Sequence, residues 1–283
     1  MNKKLIALAI AGATFAPAVL AQSANPVTLY GTLNIDFENV KSAGAAGAGA
    51  NNLARNKVSA NSSNFGFRGT EDLGGGLKAF FQLEMGSVAI DAGGGNLAGR
   101  NSAVGLQGSA GTVLLGNWDT PYKATTGSAD AFYGTGIANF VNIISGNSTP
   151  TAAPGATRNG FDRRSNNVFQ YWSPTMNGLS ARFAYAANEG KTASNAAVQQ
   201  NPSLTSFSAS YATGPITLAI GHERHQQFAN TATQTSRDKG TKFVGTVKLG
   251  NTQLALIAEQ LTFNGNIAAT GLNKNFTAGN ADQ

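Results

Sequence analysis

The chain has 283 residues with no cysteine, 35 glycines and only 12% charged side chains, so it has neither a disulfide framework nor the charge-rich surface of an ordinary soluble domain. Its 20 basic and 14 acidic side chains leave a mild positive excess, scattered among Gly, Asn and Ser with no Lys/Arg run, which argues against a nucleic-acid partner. After residue 21 no stretch is apolar enough to cross a bilayer as a helix, so any membrane passage must be made by strands of a closed barrel, the other backbone arrangement that pairs its polar groups in lipid.

Lys3 and Lys4 precede an apolar run from Leu5 to Ala16, then Pro17 and the small-residue end Val19-Leu20-Ala21. This is the pattern of a secretory leader over residues 1–21, with the mature chain predicted as 22–283. A buried N-terminal helix is the alternative, but nothing downstream supplies a helical domain for it to pack on. Cleavage would remove Lys3 and Lys4, and the positive excess that remains suits an interior biased toward anions.

From Pro26 onward the chain alternates apolar and polar residues with period two, broken by turns or small-residue loops, which predicts strands. Val27, Leu29, Leu33, Ile35 and Phe37 share one face of the first strand, opposite Thr28, Tyr30, Thr32, Asn34, Asp36 and Glu38. A second strand around Phe65 and Phe67 turns at Gly74-Gly75-Gly76 into a third, Leu77 to Met85. The fourth holds Val104 and Leu106 and turns at Gly108–Gly111 into the fifth, Thr112 to Trp118. Asn167–Trp172 and the segment from Leu179 to Tyr185 are the sixth and seventh, joined through Ser173-Pro174. Leu204–Ala212 turns at Gly214-Pro215 into a ninth strand from Ile216, and Thr241–Leu249 turns at Gly250-Asn251 into an eleventh, Thr252–Leu261.

Strands of about 10 residues match tilted membrane-crossing strands better than the shorter ones of soluble sheets. Turns after the even strands are short, while connections after the odd ones, such as Ser42 to Ala54 and Asn188 to Asn201, are long. That asymmetry is the habit of outer-membrane barrels, whereas a soluble exported sandwich would have no reason for it.

Four passages carry a more specific signal: Val27-Thr28-Leu29-Tyr30-Gly31-Thr32-Leu33, the run from Phe65-Gly66-Phe67-Arg68-Gly69-Thr70-Glu71-Asp72-Leu73 through Gly76 to Ala79, Gly111-Thr112-Val113-Leu114-Leu115-Gly116, and Tyr171-Trp172-Ser173-Pro174. Together they resemble the Gram-negative outer-membrane porins, in particular those typical of betaproteobacteria. The resemblance implies an all-β transmembrane antiparallel barrel of about 16 strands, of which eleven are recognisable here, so the chain reads as truncated at its C-terminal side. It also implies a homotrimer in the outer membrane, in contact with lipid and lipopolysaccharide. The expected activity is passive diffusion of small hydrophilic solutes and ions through a water-filled pore, with a substrate-specific channel bearing a saturable solute site as the alternative.

In such proteins the third long loop folds inward and narrows the pore. Here that connection covers about residues 118–166 and contains Asp119, Asp130 and Asp162 with Pro121, Pro150 and Pro154. The resemblance places wall arginines at Arg100, Arg163 and Arg164, opposed by Asp119 and Asp130, where a narrow passage leaves fixed charges poorly screened. The other reading of these arginines is structural, pairing with loop acids or holding turns. Where family members often place a further arginine, before Phe65-Gly66-Phe67, this chain has Asn64. Arg68 is expected to tie the first short turn to Glu71 or Asp72.

No catalytic set is visible. His222 and His225 are three apart on a strand and point to opposite faces, which excludes the helical zinc motif of histidines four apart. Gly74–Gly76 and Gly93–Gly95 lack the Lys-Ser/Thr of a phosphate loop. No cofactor and no metal are expected. Tyr30, Tyr171, Trp172 and Tyr185 are candidates for interfacial aromatic girdles, with simple hydrophobic filling as the alternative.

Overall fold

The computed structural model describes residues 27–42, 52–60, 62–85, 98–130, 140, 144, 160–187, 201–228, 235–262 and 281–282. The expected leader, and residues 131–139, 141–143 and 145–159 of the long connection, lie outside them.

Twelve strands form one antiparallel sheet in the order β1 (Val27–Thr32), β4 (Asn64–Gly74), β5 (Leu77–Glu84), β6 (Ser102–Gly108), β7 (Gly111–Asp119), β8 (Arg164–Trp172), β9 (Leu179–Ala187), β10 (Ser203–Thr213), β11 (Ile216–Gln226), β12 (Arg237–Leu249), β13 (Thr252–Thr262) and β14 (Ala281–Asp282). Among the described residues β1 and β14 are its two edges. Each strand from β4 to β13 pairs with its chain neighbour, and the pairing runs to 11 residues in β10 and β11 and 13 in β12, long enough to cross a bilayer at a tilt. Short turns close alternate hairpins. At Gly74-Gly75-Gly76 all three φ angles are positive, between +62° and +86°, a conformation that side chains disfavour and glycine accepts freely.

All eleven expected strands form, with one correction. The first is not continuous: it breaks at Leu33-Asn34, and its second half, β2 (Ile35–Ser42), leaves the sheet to pair with β3 (Asn52–Ala60) in a separate two-stranded ribbon. Ser63 supplies the reason. Its hydroxyl accepts from the Asn34 backbone N–H at 2.9 Å and donates to the Asn34 carbonyl at 3.1 Å, so a side chain replaces the ladder partner just where the strands diverge. The ribbon is held by Asn39 donating to Asn56 at 2.7 Å and Ser59 donating to Glu38 at 2.6 Å. β3 thus occupies the end of what the sequence presents as a polar loop.

The burial pattern is inverted relative to a soluble sheet. Leu29, Val104, Leu106, Leu115, Ile220, Phe243 and Leu256 are exposed, Leu256 by 65%, whereas Gln170, Ser206, Glu223, His225, Lys242 and Glu259 are buried on the other face. Such an apolar exposed face is favourable against lipid and costly against water. We call the polar face the inner one, because the connection after β7 lies on it. Of the four candidate girdle aromatics, only Tyr171 and Tyr185 belong to the exposed face. Tyr30 and Trp172 turn inward, because each finds polar partners there: the Tyr30 hydroxyl donates to Glu84 and the Trp172 ring N–H to Gln170. Tyr211, not singled out from sequence, joins the exposed pair.

Candidate pore constriction

The connection after β7 turns inward at Thr120-Pro121. Thr120 has extended backbone (φ −66°, ψ 154°), its hydroxyl accepts from the Lys123 N–H, and Pro121 opens the short helix α1 (Pro121–Ala124), which continues as a 3₁₀ turn, Thr125–Ser128. A hydroxyl cap followed by proline is a favoured way to begin a helix, because proline lacks an N–H that would go unpaired there. The Thr120 N–H donates to the Arg163 carbonyl at 3.2 Å and so joins the two ends of the long connection.

The helix is clamped to the inner face of β10–β13. The Tyr122 N–H donates to Ser206 at 3.0 Å, and its hydroxyl donates to Glu259 at 2.5 Å. Lys242 donates to Thr126 at 2.9 Å and lies 3.5 Å from Glu259, with both side chains fully buried. Gln253 donates to the Ser128 carbonyl. Burial, reinforced by the Glu259 charge, pushes the Tyr122 hydroxyl well above its ordinary pKa, so it stays a donor. Close approach needs glycine: a Cβ at Gly221 would stand 2.7 Å from the Thr125 hydroxyl, and one at Gly240 about 3 Å from Leu261, Phe161 and Tyr122. Tyr122, Phe161 and Leu261 form a closed apolar cluster beneath the helix, where each full burial is worth roughly 1.5–3 kcal/mol. Beside it the His225 ring stacks between Phe161 and Phe228, at 4.4 and 4.7 Å, with its Nε2 2.7 Å from Glu223. His222 lies on the other face, so the two histidines do diverge.

The expected charges fall into separate groups. Arg164 reaches Asp119 at 3.0 Å and donates through Nε to Asn101 at 2.6 Å; Asn101 also donates to Asp119. Lys123 bridges Asp119 at 3.3 Å and Asp162 at 3.5 Å. Asp119 ends β7 on the wall, beside Arg164 rather than across from it. Arg100 donates to Glu84 at 2.5 Å. The Arg163 guanidinium lies 4.7 Å above the Phe228 ring, where burial lowers its pKa from the ordinary value while the Glu223 charge opposes that shift. Asp130 is half-buried at the end of the described helical segment. Arg68 is laid over the Tyr30 ring at 5.2 Å and forms no ion pair with Glu71 or Asp72 among the described residues.

Sequence reasoning passed over Tyr122, Lys123, Lys242, Glu259, Glu84 and Asn101. One signal was available for the most buried pair: the Gly250-Asn251 turn fixes the hairpin register so that Lys242 stands directly opposite Glu259 on the polar face. Nothing local to Tyr122 announces a partner 137 residues away.

A model of the family described as Gram-negative porin matches residues 7–282. Outer membrane porin protein 32 of Delftia acidovorans is 36% identical over 247 residues, covering 85% of this chain and 64% of the relative. Major outer membrane protein P.IB of Neisseria gonorrhoeae is 34% identical over 217 residues, covering 75% of this chain and 56% of the relative. In structure, the anion-selective porin from Comamonas acidovorans superimposes with a TM-score of 0.70 at 28% identity, over 85% of this chain and 69% of that one. OmpF of Salmonella typhi, at a TM-score of 0.60 and 15% identity, attests the fold alone. The chain thus spans about 64% or less of the length of these two sequence relatives. With the inverted burial, the antiparallel meander and the inward helix, these matches place the chain in the Gram-negative porin family, as a β-barrel protein of the outer membrane.

Proposed function

We propose that this protein forms a water-filled pore for passive diffusion of small hydrophilic solutes and ions, with a preference for anions. The observation that carries the reading is the pairing of an exposed apolar outer face with a polar inner face on which the loop-borne helix is clamped. A lipid-facing wall around a polar lumen, narrowed from inside, sieves by size and leaves charged side chains to act at short range. Support for the sign comes from the excess of basic residues and from the anion selectivity in the description of the Comamonas porin. In this proposal Arg100, Arg163 and Arg164, with Asp119 and Asp130, set the field at the constriction. Their grouping around Asn101, Glu84 and Lys123 supports a charged ring, and it also gives Arg100 and Arg164 structural pairing partners. The functional unit is a homotrimer embedded in lipid and lipopolysaccharide, secreted with cleavage after Ala21 and narrowed by residues 118–166.

Planar-bilayer recordings under a salt gradient test the reading. Conductance should rise with salt, and reversal potentials should favour anions at low salt. The bias should shrink as the Debye length falls from about 30 Å at 0.01 M to about 3 Å at 1 M. Cation preference at low salt would remove the proposed sign, and absence of conductance steps would remove the pore.

A further inference from the structure

Four cations on the inner face and its loop are matched by a carboxylate among the described residues: Arg100 by Glu84, Arg164 by Asp119, Lys123 by Asp119 and Asp162, Lys242 by Glu259. Arg182 is different. It stands on β9 directly between Trp172 of β8 and Ser208 of β10, its guanidinium carbon 4.8 Å above the centre of the Trp172 ring. Among the described residues no carboxylate lies within ion-pair distance of it, and its side chain is exposed to the lumen.

Arg182 borders a recess of about 160 Å³ between the 3₁₀ turn after α1 and the inner face of β9–β11. The remaining walls are small. Ser180, Ser208, Ser210 and Thr217 contribute hydroxyls from the strands, Thr125 contributes one from the turn that already donates to the Pro121 carbonyl, and Ala124 and Ala219 supply short apolar surface. Ser180 and Ser210 hydrogen-bond to each other at 2.9 Å across β9 and β10, which fixes two of those hydroxyls in place. Gly221, opposite Ser208, lets the turn approach closely enough to form the roof.

We propose that this recess binds a small carboxylate solute, with Arg182 as its anchor; the inference rests on the pore reading only in that the solute arrives through the lumen. A ring stacked on one face of a guanidinium leaves the N–H edge free, and that edge matches the two oxygens of a carboxylate. The strand hydroxyls serve as donors to those oxygens or to a hydroxyl on the solute, whereas the Ala124 and Ala219 methyls accept a short alkyl chain. The size favours a small guest: at about 30 Å³ per water the space equals roughly five waters, which suits an acid of a few carbons. Chloride fits the charge but not the fork, so the recess separates carboxylate from simple halide.

The test uses Trp172 as its own reporter. Only Trp118 and Trp172 are present, with ring centres 5.7 Å apart, so the full chain carrying Trp118→Phe and folded in detergent reports from the ring beneath Arg182. Sodium propionate at constant ionic strength should change its fluorescence saturably, with a midpoint on the order of millimolar, and sodium chloride should not. Arg182→Gln should weaken the midpoint by about tenfold or more, since a charge-assisted bidentate pair is lost. Arg182→Lys, which keeps the charge but lacks the fork, should fall between. Ser208→Ala, a milder change, should weaken it by a few fold and keeps the test sound if the arginine variants fold poorly, which heat-modifiable migration would show. A flat titration, an unchanged midpoint in both Arg182→Gln and Ser208→Ala, or an equal response to chloride overturns the carboxylate site. Conductance without a saturable titration leaves the pore standing and removes this site. A saturable titration in a protein that conducts nothing does the reverse.

Discussion

The inner face of β11–β13 and that of β4, β8 and β9 draw on the same residue types, yet they treat charge in opposite ways. Under the loop, Lys242 and Glu259 are fully buried, 3.5 Å apart, with Tyr122 and Thr126 completing their hydrogen bonds. On β4 and β9, Arg68 and Arg182 are exposed and lie on aromatic rings with no carboxylate beside them among the described residues. A charge removed from water must find an opposite charge and donors, and this requirement ties the loop to the wall. A charge left in water on an aromatic ring keeps its field and its donors for whatever passes. One region is anchorage, and the other keeps its guanidinium donors uncommitted to any carboxylate among the described residues.

The largest effect should come from breaking the anchorage. Glu259→Ala leaves the Lys242 ammonium buried without its carboxylate and deprives the Tyr122 hydroxyl of its acceptor, a loss of about 3–5 kcal/mol by analogy with other broken buried pairs. Thermal unfolding followed by heat-modifiable migration should show a marked drop. Replacing both members by apolar residues, Lys242→Met with Glu259→Leu, should restore most of it, since the cost lies in the orphaned charge. If the single and double changes are equally damaging, the pair is not what holds this region.

Next in size is a steric lever on the same anchorage. Gly240→Val adds a Cβ about 3 Å from Leu261, Phe161 and the Tyr122 hydroxyl, and branching worsens the clash. Overpacking should cost about 1–3 kcal/mol and lift the loop from the wall, raising single-channel conductance. The same substitution at Gly245, where the nearest atoms stand 3.6 Å or more away, should do neither.

How far the sequence foretold these regions depended on distance along the chain. Strands were legible because lipid on one side and water on the other enforce period two, and the short turns fixed each hairpin's register. The break at Leu33-Asn34 was not, because the apolar alternation runs through it unbroken and only Ser63, 29 residues later, decides it. The charged site shows the same limit. Arg164 and Asp119 do pair, but Arg100 pairs with Glu84 instead, and the partners Glu84, Asn101 and Lys123 come from the two ends of the β5–β6 connection and from the loop helix. Which arginine is paired and which is left for solute depends on contacts that no local pattern encodes.

Pairing sharpens the selectivity experiment. Replacing Arg100, Arg163 and Arg164 together with serine should lower or reverse the anion preference proposed here, and Asn64→Arg should strengthen it. Arg164→Ser alone leaves Asp119 with Lys123 and should shift reversal potentials toward cations. Removing Asp119 as well should return them most of the way, because the pair as a unit carries no net charge. A double change as cation-shifted as the single would show that Arg164 acts on the pore independently of Asp119. Arg68→Ser, which frees no acid, provides the comparison.

The smallest expected effect is a pH dependence of loop docking. Burial pushes the Asp162 carboxyl above the ordinary carboxylate range, and the charges of Lys123 and Lys242 oppose that shift without cancelling it. For an acid whose pKa is raised on docking, the docked state is favoured below the ordinary carboxylate pKa and loses that contribution as pH rises through the raised value. Hydrogen exchange of the Ala124 amide, which donates to the Thr120 carbonyl in the helix, reads the docking locally once intrinsic exchange is corrected for pH. Protection should therefore decline modestly as pH rises above the ordinary carboxylate range. Asp162→Asn keeps the shape, never ionises, and should flatten the profile, although it loses the Lys123 contact at 3.5 Å. If protection instead grew toward neutral pH and Asp162→Asn abolished the growth, the lysine attractions would outweigh burial, and the carboxylate would hold the loop by its charge rather than in spite of it.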